Sequence, residues 1–271
     1  MNYLQLDFET SDRQSSEMLI ALLAQSGFEG FEEETNSRKA YTREEDFDEV
    51  KLAGILKIIP VKFRRTVIQH ENWNAQWESS FEPILVNDFV AIRAGFHQPV
   101  KNAKHEIIIT PKMSFGTGHH ATTYLMISQI SHLIFADKSV LDFGTGTGVL
   151  SILAEKMGAT DICAIDNDEW SIENAMENIS ANNCRRIKVH KEHAIPGGNK
   201  YDVILANINL NVIMQSLTAI AAAGKTGTLI LLSGFLQKDI EGLSAALHAR
   251  LLTIIQIEEK DGWVCLLCKK D

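Results

Sequence analysis

No apolar run in this chain approaches the ~20 residues that a membrane-spanning helix needs. The opening "MNYLQLDFET" mixes acidic and polar residues where a secretory leader would carry a basic flank and an apolar core. The expectation is a soluble, cytoplasmic protein. Cysteine is scarce as well: Cys163, Cys184, Cys265 and Cys268 are too few and too scattered to frame a chain of 271 residues with disulfides, so reduced thiols are expected. Cys265 and Cys268 do spell C-x-x-C, but "WVCLLCKK" reads as a strand, where positions three apart point to opposite faces and do not converge on a redox or zinc centre. An excess of basic residues is also missing. The formal net charge of −9 argues against adhesion to nucleic acid through a basic face and leaves room for a basic protein partner.

What is present is enough apolar residue, 45% of 271, for one large domain or two smaller ones with real cores. The acid concentrates between Glu29 and Glu49, which reads either as a solvated face laced with i,i+4 pairs or as a docking surface for a lysine-rich partner. "YLQLDFE" alternates like a strand, "SSEMLIALLAQSG" has helical spacing, and "GFEGFEEE", "LAGILKIIP" and "FRRTVIQHE" follow. That order of strand, helix, strands, helix and strand suits a small α+β domain of the split-βαβ, ferredoxin-like kind over residues 1–70. Residues 71–95 read as a linker and connecting helix followed by strand-like alternation, with Trp73, Trp77 and Phe81 on one helix face as a packing seam between two domains.

Over residues 96–271 the chain alternates: "SVLDFG", "VLSILAEKMG", "DICAID", "WSIENAMENISANN", "IKVH", "YDVILANI", "NVIMQSLTAIAA", "GTLILLSGF" and "QKDIEGLSAALHA". Strands alternating with helices predict a doubly wound parallel α/β sheet. The closing "LLTIIQIEEKDGWVCLLCKK" is instead two strand runs about a turn, an antiparallel pair at the sheet edge.

After the first of these strands, Gly144, Gly146 and Gly148 make a turn at which a cofactor can approach the backbone, as ligands of open parallel sheets do beyond the strands' carboxyl ends. The pattern G-x-G-x-G lacks the third glycine of the dinucleotide fingerprint, where Val149 stands, and no G-K-[ST] follows to make a P-loop. Asp166 closes the next strand, where a carboxylate can accept hydrogen bonds from both ribose hydroxyls of any adenosine-containing cofactor. Together these features resemble the seven-stranded, Rossmann-like methyltransferases that use S-adenosyl-L-methionine and release S-adenosyl-L-homocysteine; a nicotinamide enzyme or an inactive relative is the competing reading.

A closer resemblance lies outside that core. "FGTGHHATT", the W-x-x-x-W-x-x-x-F-x-P run of Trp73, Trp77, Phe81 and Pro83, and "ANIN" after the fourth strand together resemble the ribosomal protein methyltransferase A family, over essentially the whole chain. The resemblance implies methylation of ribosomal protein L-eleven, free before ribosome assembly, on lysine side chains and the N-terminal α-amine, through to trimethyl products. It implies that the N-terminal domain recognises the substrate, with no nucleic acid or membrane engaged directly. It places the cofactor contacts on Thr123, Gly144, Asp166 and Asn207, beside the turn glycines Gly146 and Gly148. Family members often carry cysteine or serine where this turn has Thr145 and Thr147, and these positions are expected to act mainly through backbone.

Attack on a sulfonium methyl needs a neutral, aligned amine. Asn207, at the mouth of the cleft, offers a side-chain oxygen to accept an amine hydrogen bond, so no general base is demanded. "NINL" lacks the two prolines of the Asn-Pro-Pro-aromatic motif used on planar nitrogens, which favours sp3 amines. Thr122 and Thr123 sit where a helix cap or first turn would hold a carboxylate. His119 and His120 are adjacent and without an acidic cluster, so no metal is expected, and Phe115 is either a pocket wall or a core residue. Two readings compete with the family's activity: a binding protein that has lost catalysis, opposed by Thr123, Asp166 and Asn207, and a protein-lysine methyltransferase with another target.

Overall fold

The protein, as a computed structural model, is described over residues 2–10, 13–33, 37–68, 81–112 and 116–271. Trp73, Trp77, the connecting helix and Phe115 lie outside the described residues. The chain divides into two compact units, Met1–Ser79 and Ser80–Asp271.

In the first unit, β1 (Tyr3–Glu9), α1 (Arg13–Gln25), β2 (Gly30–Glu33), β3 (Ser37–Arg43), α2 (Glu49–Ile58) and β4 (Phe63–Ile68) build an antiparallel sheet of order β2-β3-β1-β4. The two-residue period of β1 turns Leu4, Leu6 and Phe8 into a core shared with Leu19, Leu23, Leu52 and Ile55 of the two helices. Asp48 caps α2 by accepting from the backbone N–H groups of Val50 and Lys51. The acidic stretch is mostly not helical. Its charges are spread over β2, β3, a 3-10 turn at Glu44–Asp46 and the start of α2. Pairs across elements, Arg43 with Glu29 at 3.8 Å and Arg65 with Glu49 at 3.2 Å, stand beside the local pair of Lys51 with Asp48.

The second unit begins within residues 71–95: the strand-like alternation expected there is β5 (Ile84–Val86) and β6 (Val90–Ala94), which with β7 (His105–Ile109) form a small sheet separate from the main one. Then come α3 (Ala121–Ile130), β8 (Ser139–Phe143), α4 (Val149–Lys156), β9 (Asp161–Asp166), α5 (Glu169–Ala181), β10 (Ile187–Lys191), β11 (Tyr201–Asn207), α6 (Leu210–Ala223), β12 (Gly224–Leu236), α7 (Ile240–His248), β13 (Leu252–Lys260) and β14 (Trp263–Lys270). The main sheet has seven strands in the order β10-β9-β8-β11-β12-β14-β13. Its first five strands are parallel, and β14 is antiparallel to both β12 and β13, as the expected edge pair requires.

Both faces of this sheet are buried, which is why its strands read as apolar runs. Val140, Ile162, Val203, Leu205 and Leu231 pack against α3, α4 and α5. Their sequence neighbours Leu141, Ile204, Ile230 and Leu232 pack against α6 and α7. Cys265 belongs to the first core and Cys268 to the second, so the C-x-x-C pair is split between opposite faces. Burial pushes both thiols up, that of Cys268 to about 12, which leaves them inert packing residues at neutral pH.

β7 pairs with β6 on one side only. On its other side, three asparagines one turn apart on α5 take its backbone groups. Asn182 accepts from Ile108 N at 3.0 Å and donates to Ile108 O, Asn178 accepts from Thr110 N at 2.7 Å, and Asn174 donates to Thr110 O at 3.2 Å. Side-chain amides carry both a donor and an acceptor, so this row satisfies a strand edge as another strand would.

Where the main sheet changes direction of winding, Asp202 at the start of β11 accepts from the Ser139 N–H at 3.0 Å and its hydroxyl at 2.8 Å, and pairs with Lys225 of β12 at 2.6 Å. Burial raises the Asp202 carboxyl, but these three donors outweigh it and hold the group at about 2, below its usual 3.8. A depressed carboxylate stabilises the fold above its unfolded pKa and loses that contribution as pH falls through the folded one. Urea unfolding of Asp202→Asn should therefore show a loss of about 2 kcal/mol at neutral pH that shrinks between pH of about 4 and about 2. An equal loss at every pH would assign the effect to packing.

Candidate functional site

The carboxyl ends of β8, β9 and β11 open into a cavity of about 480 Å³ lined by Gly144, Gly146, Asp166, Asn207, Ile208 and Trp263 among others. The glycine turn is left-handed at all three positions, with φ of 76° at Gly144, 54° at Gly146 and 78° at Gly148, a region costly for any side chain. Space forbids a side chain as well: a Cβ on Gly144 would stand 2.1 Å from Ile208 Cγ2. The N–H groups of Gly144 and Thr145 donate to Ile165 O at 2.8 and 3.0 Å, and that of Gly146 donates to Asp166 Oδ2 at 2.9 Å. The remaining carboxylate oxygen, Oδ1, accepts from Asp168 N at 3.1 Å. Asp166 therefore holds the turn and also faces the cavity.

The turn's threonines use their hydroxyls as well as their backbone groups. Thr145 Oγ1 donates to Asp142 Oδ2 at 2.7 Å, and Ser151 Oγ, from the first turn of α4, donates to the same oxygen at 2.6 Å. Burial pushes the Asp142 carboxyl up, and these two hydroxyls only oppose it. Thr147 Oγ1 donates to Gly116 O at 2.8 Å and so fastens the turn to the segment before α3.

That segment ends at His120, which caps α3 by accepting from Thr122 N at 3.3 Å and sets its ring edge-on to Trp263, with centroids 4.6 Å apart. Thr122 and Thr123 lie in the first helical turn and are fully buried. Thr123 Oγ1 accepts from Asn207 Nδ2 at 3.3 Å. This leaves Asn207 Oδ1, on a residue only 8% exposed, as a buried acceptor with no hydrogen-bond partner among the described residues, a state that favours binding of a donor. Gly144, Gly146, Asp166 and Asn207 thus share one cavity, Thr123 touches Asn207, and Gly148 caps α4 behind the turn. Among the described residues no group of three or more His, Cys, Asp and Glu is placed to hold a metal. His119 turns instead to Phe81, ring centroids 4.7 Å apart, and burial pushes its pKa down.

Sequence reasoning missed three residues. Trp263 walls the cavity, although its place at the start of β14 gave no motif. Ile208 overhangs the glycine turn. Gly234 has φ 101° at a register shift between Ser233 and Phe235, and a Cβ there would stand 2.1 Å from Ile208 O. A glycine inside the strand run "LLSGFL" was the available signal, since such a residue marks a bulge or a close backbone approach.

With this geometry in place, likeness to known proteins becomes informative. The family model described as ribosomal protein L11 methyltransferase (PrmA) matches residues 7–271. A ribosomal protein L11 methyltransferase of Chlorobaculum tepidum is 38% identical over 279 residues, covering 98% of this chain and 96% of its own. One of Bacteroides fragilis is 34% identical over 276 residues, covering 98% and 99%. The crystal structure of a ribosomal protein L11 methylase from Lactobacillus delbrueckii subsp. bulgaricus matches with a TM-score of 0.65 and 26% identity over 70% of this chain and 100% of that one.

Proposed function

The chain belongs to the ribosomal protein L11 methyltransferase family, and from that premise we propose that it methylates lysine side-chain amines and the N-terminal α-amine of L11, carrying each to the trimethyl state. It is an S-adenosylmethionine-dependent protein methyltransferase acting on L11. Among the described residues no helix is long and apolar enough to cross a membrane. In this reading residues 1–70 recognise the substrate, which is taken free, in the cytoplasm, before ribosome assembly, and without contact to nucleic acid.

The residues present fit the cofactor. Asp166 offers a carboxylate in the cavity for the ribose hydroxyls, the turn of Gly144, Gly146 and Gly148 allows close approach of backbone, and Thr123 with Asn207 receives the methionine end. When bound, S-adenosylmethionine supplies an electrophilic methyl group. The chain's part is to present a neutral amine in line with it. A free lysine, with a pKa near 10.4, is almost wholly protonated at neutral pH, and desolvation in a cavity walled by Trp263, Phe143 and Ile208 favours its neutral form. The observation that carries the proposal is that Asn207 Oδ1 has no partner among the described residues: with Nδ2 given to Thr123, this oxygen can accept from an amine N–H.

The test is intact-mass spectrometry and peptide mapping of L11 from cells lacking the enzyme, incubated with this protein and S-adenosylmethionine. Methyl increments up to trimethyl on lysines and on the N-terminus are expected. Methyl groups found only on amide or carboxylate side chains would refute the amine assignment, and stopping at monomethyl would refute the multiplicity.

A further inference from the structure

We infer that Thr147 and Asn178 are positioning residues for the cofactor, although neither lines the cavity: Asn178 fixes the backbone of the glycine turn and the Thr147 hydroxyl ties that turn to the segment leading into Thr123. The inference rests on the reading of the cleft as the cofactor's seat. Of the three asparagines along α5 and its C-cap, Asn174 and Asn182 bond, among the described residues, to Ile108 of β7, to Thr110 just after it and to their own helix. Asn178 alone reaches in two directions. Its Oδ1 accepts from Thr110 N at 2.7 Å and its Nδ2 donates to Thr147 O at 2.9 Å. It is fully buried, so no solvent replaces either bond. A carboxamide of this length is the one side chain that offers an acceptor and a donor on a single rigid plane here, since aspartate lacks the donor and glutamine is longer.

The first half of the turn is held by Ile165 O and by the carboxylates of Asp142 and Asp166, whereas its Thr147 end is held by Asn178 and Gly116. Gly148 stands at the N-cap of α4 without a side chain to cap it. α5 lies directly beneath, such that a Cβ on Gly148 would be 3.4 Å from Ala175 Cβ. Thr147 then passes the constraint on through its hydroxyl to Gly116 O at 2.8 Å. That contact is close enough that a Cβ on Gly116, whose φ is 100°, would stand 2.9 Å from Thr147 Oγ1. Gly116 leads directly to the His120 cap and so to Thr123. In the other direction the next residue back is Gly146, whose N–H is held by Asp166. One buried threonine therefore links the turn held by Asp166 to the segment that leads into Thr123 and Asn207, the residues that would hold the cofactor.

Calorimetric titration of the full-length protein with S-adenosylhomocysteine, together with steady-state kinetics, separates this role from a general structural one. Thr147→Val removes only the hydroxyl and should weaken binding about tenfold, raising KM for S-adenosylmethionine in step while kcat at saturation stays within about twofold. Thr147→Ser restores the hydroxyl and should bind within about twofold of the unsubstituted protein. Asn178→Ala should weaken binding by a similar factor, and adding it to Thr147→Val should cost less than the product of the two, because both act through one turn. Asn182→Ala removes the bonds to Ile108 of β7 and one bond to the Asn178 backbone oxygen, while leaving the Asn178 side chain on Thr147; it should lower Tm and leave cofactor affinity unchanged. Unchanged binding by Thr147→Val, or equal weakening by Thr147→Ser or Asn182→Ala, would overturn the inference. Failure of the unsubstituted protein to bind would overturn the reading of the cleft itself. If Asn178→Ala does not fold, the contrast of valine with serine at position 147 decides alone.

Discussion

Asp166→Ala is expected to bind S-adenosylmethionine about tenfold to a hundredfold more weakly, because two losses coincide and charge-assisted hydrogen bonds contribute about 1.5–3 kcal/mol. The first is the pair of bonds that the carboxylate makes with the ribose hydroxyls in the proposed complex. The second is internal: Asp166 Oδ2 already accepts from Gly146 N at 2.9 Å and Oδ1 from Asp168 N at 3.1 Å, so alanine also releases the middle of the glycine turn and the approach to α5. Asp166→Asn separates the two. It keeps one acceptor for Gly146 N while losing the charge, and should fall between alanine and the unsubstituted protein. Calorimetric titration reads all three. Affinity unchanged in Asp166→Ala would mean that the ribose is held elsewhere, and tight binding of a nicotinamide dinucleotide in its place would contradict the cofactor.

Much of the second unit is legible in the sequence because its strands are buried on both faces. "SVLDF", "DICAID" and "YDVILAN" are nearly continuous apolar runs separated by helical periods, a pattern with one economical solution, and β13 and β14 differ visibly in being joined by a short turn. The site residues read from the glycine turn, the end of β9 and "ANIN" are brought together because each follows a parallel strand at its carboxyl end, where ligands of such sheets collect. What was not legible depends on contacts far apart in sequence. The alternation of β5 and β6 is legible, but they are short, three and five residues, and the parallel pairing of β6 with β7 skips a ten-residue loop, so nothing local announces that they form a sheet of their own. The asparagines of α5 read as ordinary polar helix positions, since their partners at Ile108 and Thr110 lie more than 60 residues away. Thr147 is the same case: a hydroxyl between two glycines gives no hint that its acceptor is Gly116. Side chains that serve distant backbone groups leave no periodic trace, whereas those placed by strand ends and tight turns do.

Asn207→Ala should slow the first methyl transfer most, by about a hundredfold, since misplacing a reacting group by a small distance costs that order in rate. The multiplicity of the product makes this separable from a general loss. An unmethylated or monomethylated amine, when neutral, retains an N–H to donate to Asn207 Oδ1 while its lone pair is aimed at the methyl group. A neutral dimethylamine has no hydrogen left and is aligned by packing alone, against walls such as Trp263 and Ile208. The third transfer should therefore lose no more than about tenfold in the variant, the part due to a weaker hold on the methionine end, where Asn207 Nδ2 meets Thr123 Oγ1 at 3.3 Å. Single-turnover rates measured by intact mass on unmethylated, monomethylated and dimethylated substrate, at saturating S-adenosylmethionine, resolve the three steps. Thr123→Val supplies the matching control. It leaves Oδ1 in place but removes the hydroxyl that fixes the amide, so it should slow the early steps less than Asn207→Ala does. If Asn207→Ala slows all three stages by one common factor, Asn207 serves the cofactor only, and the orientation of the amine must come from the cavity walls at every step.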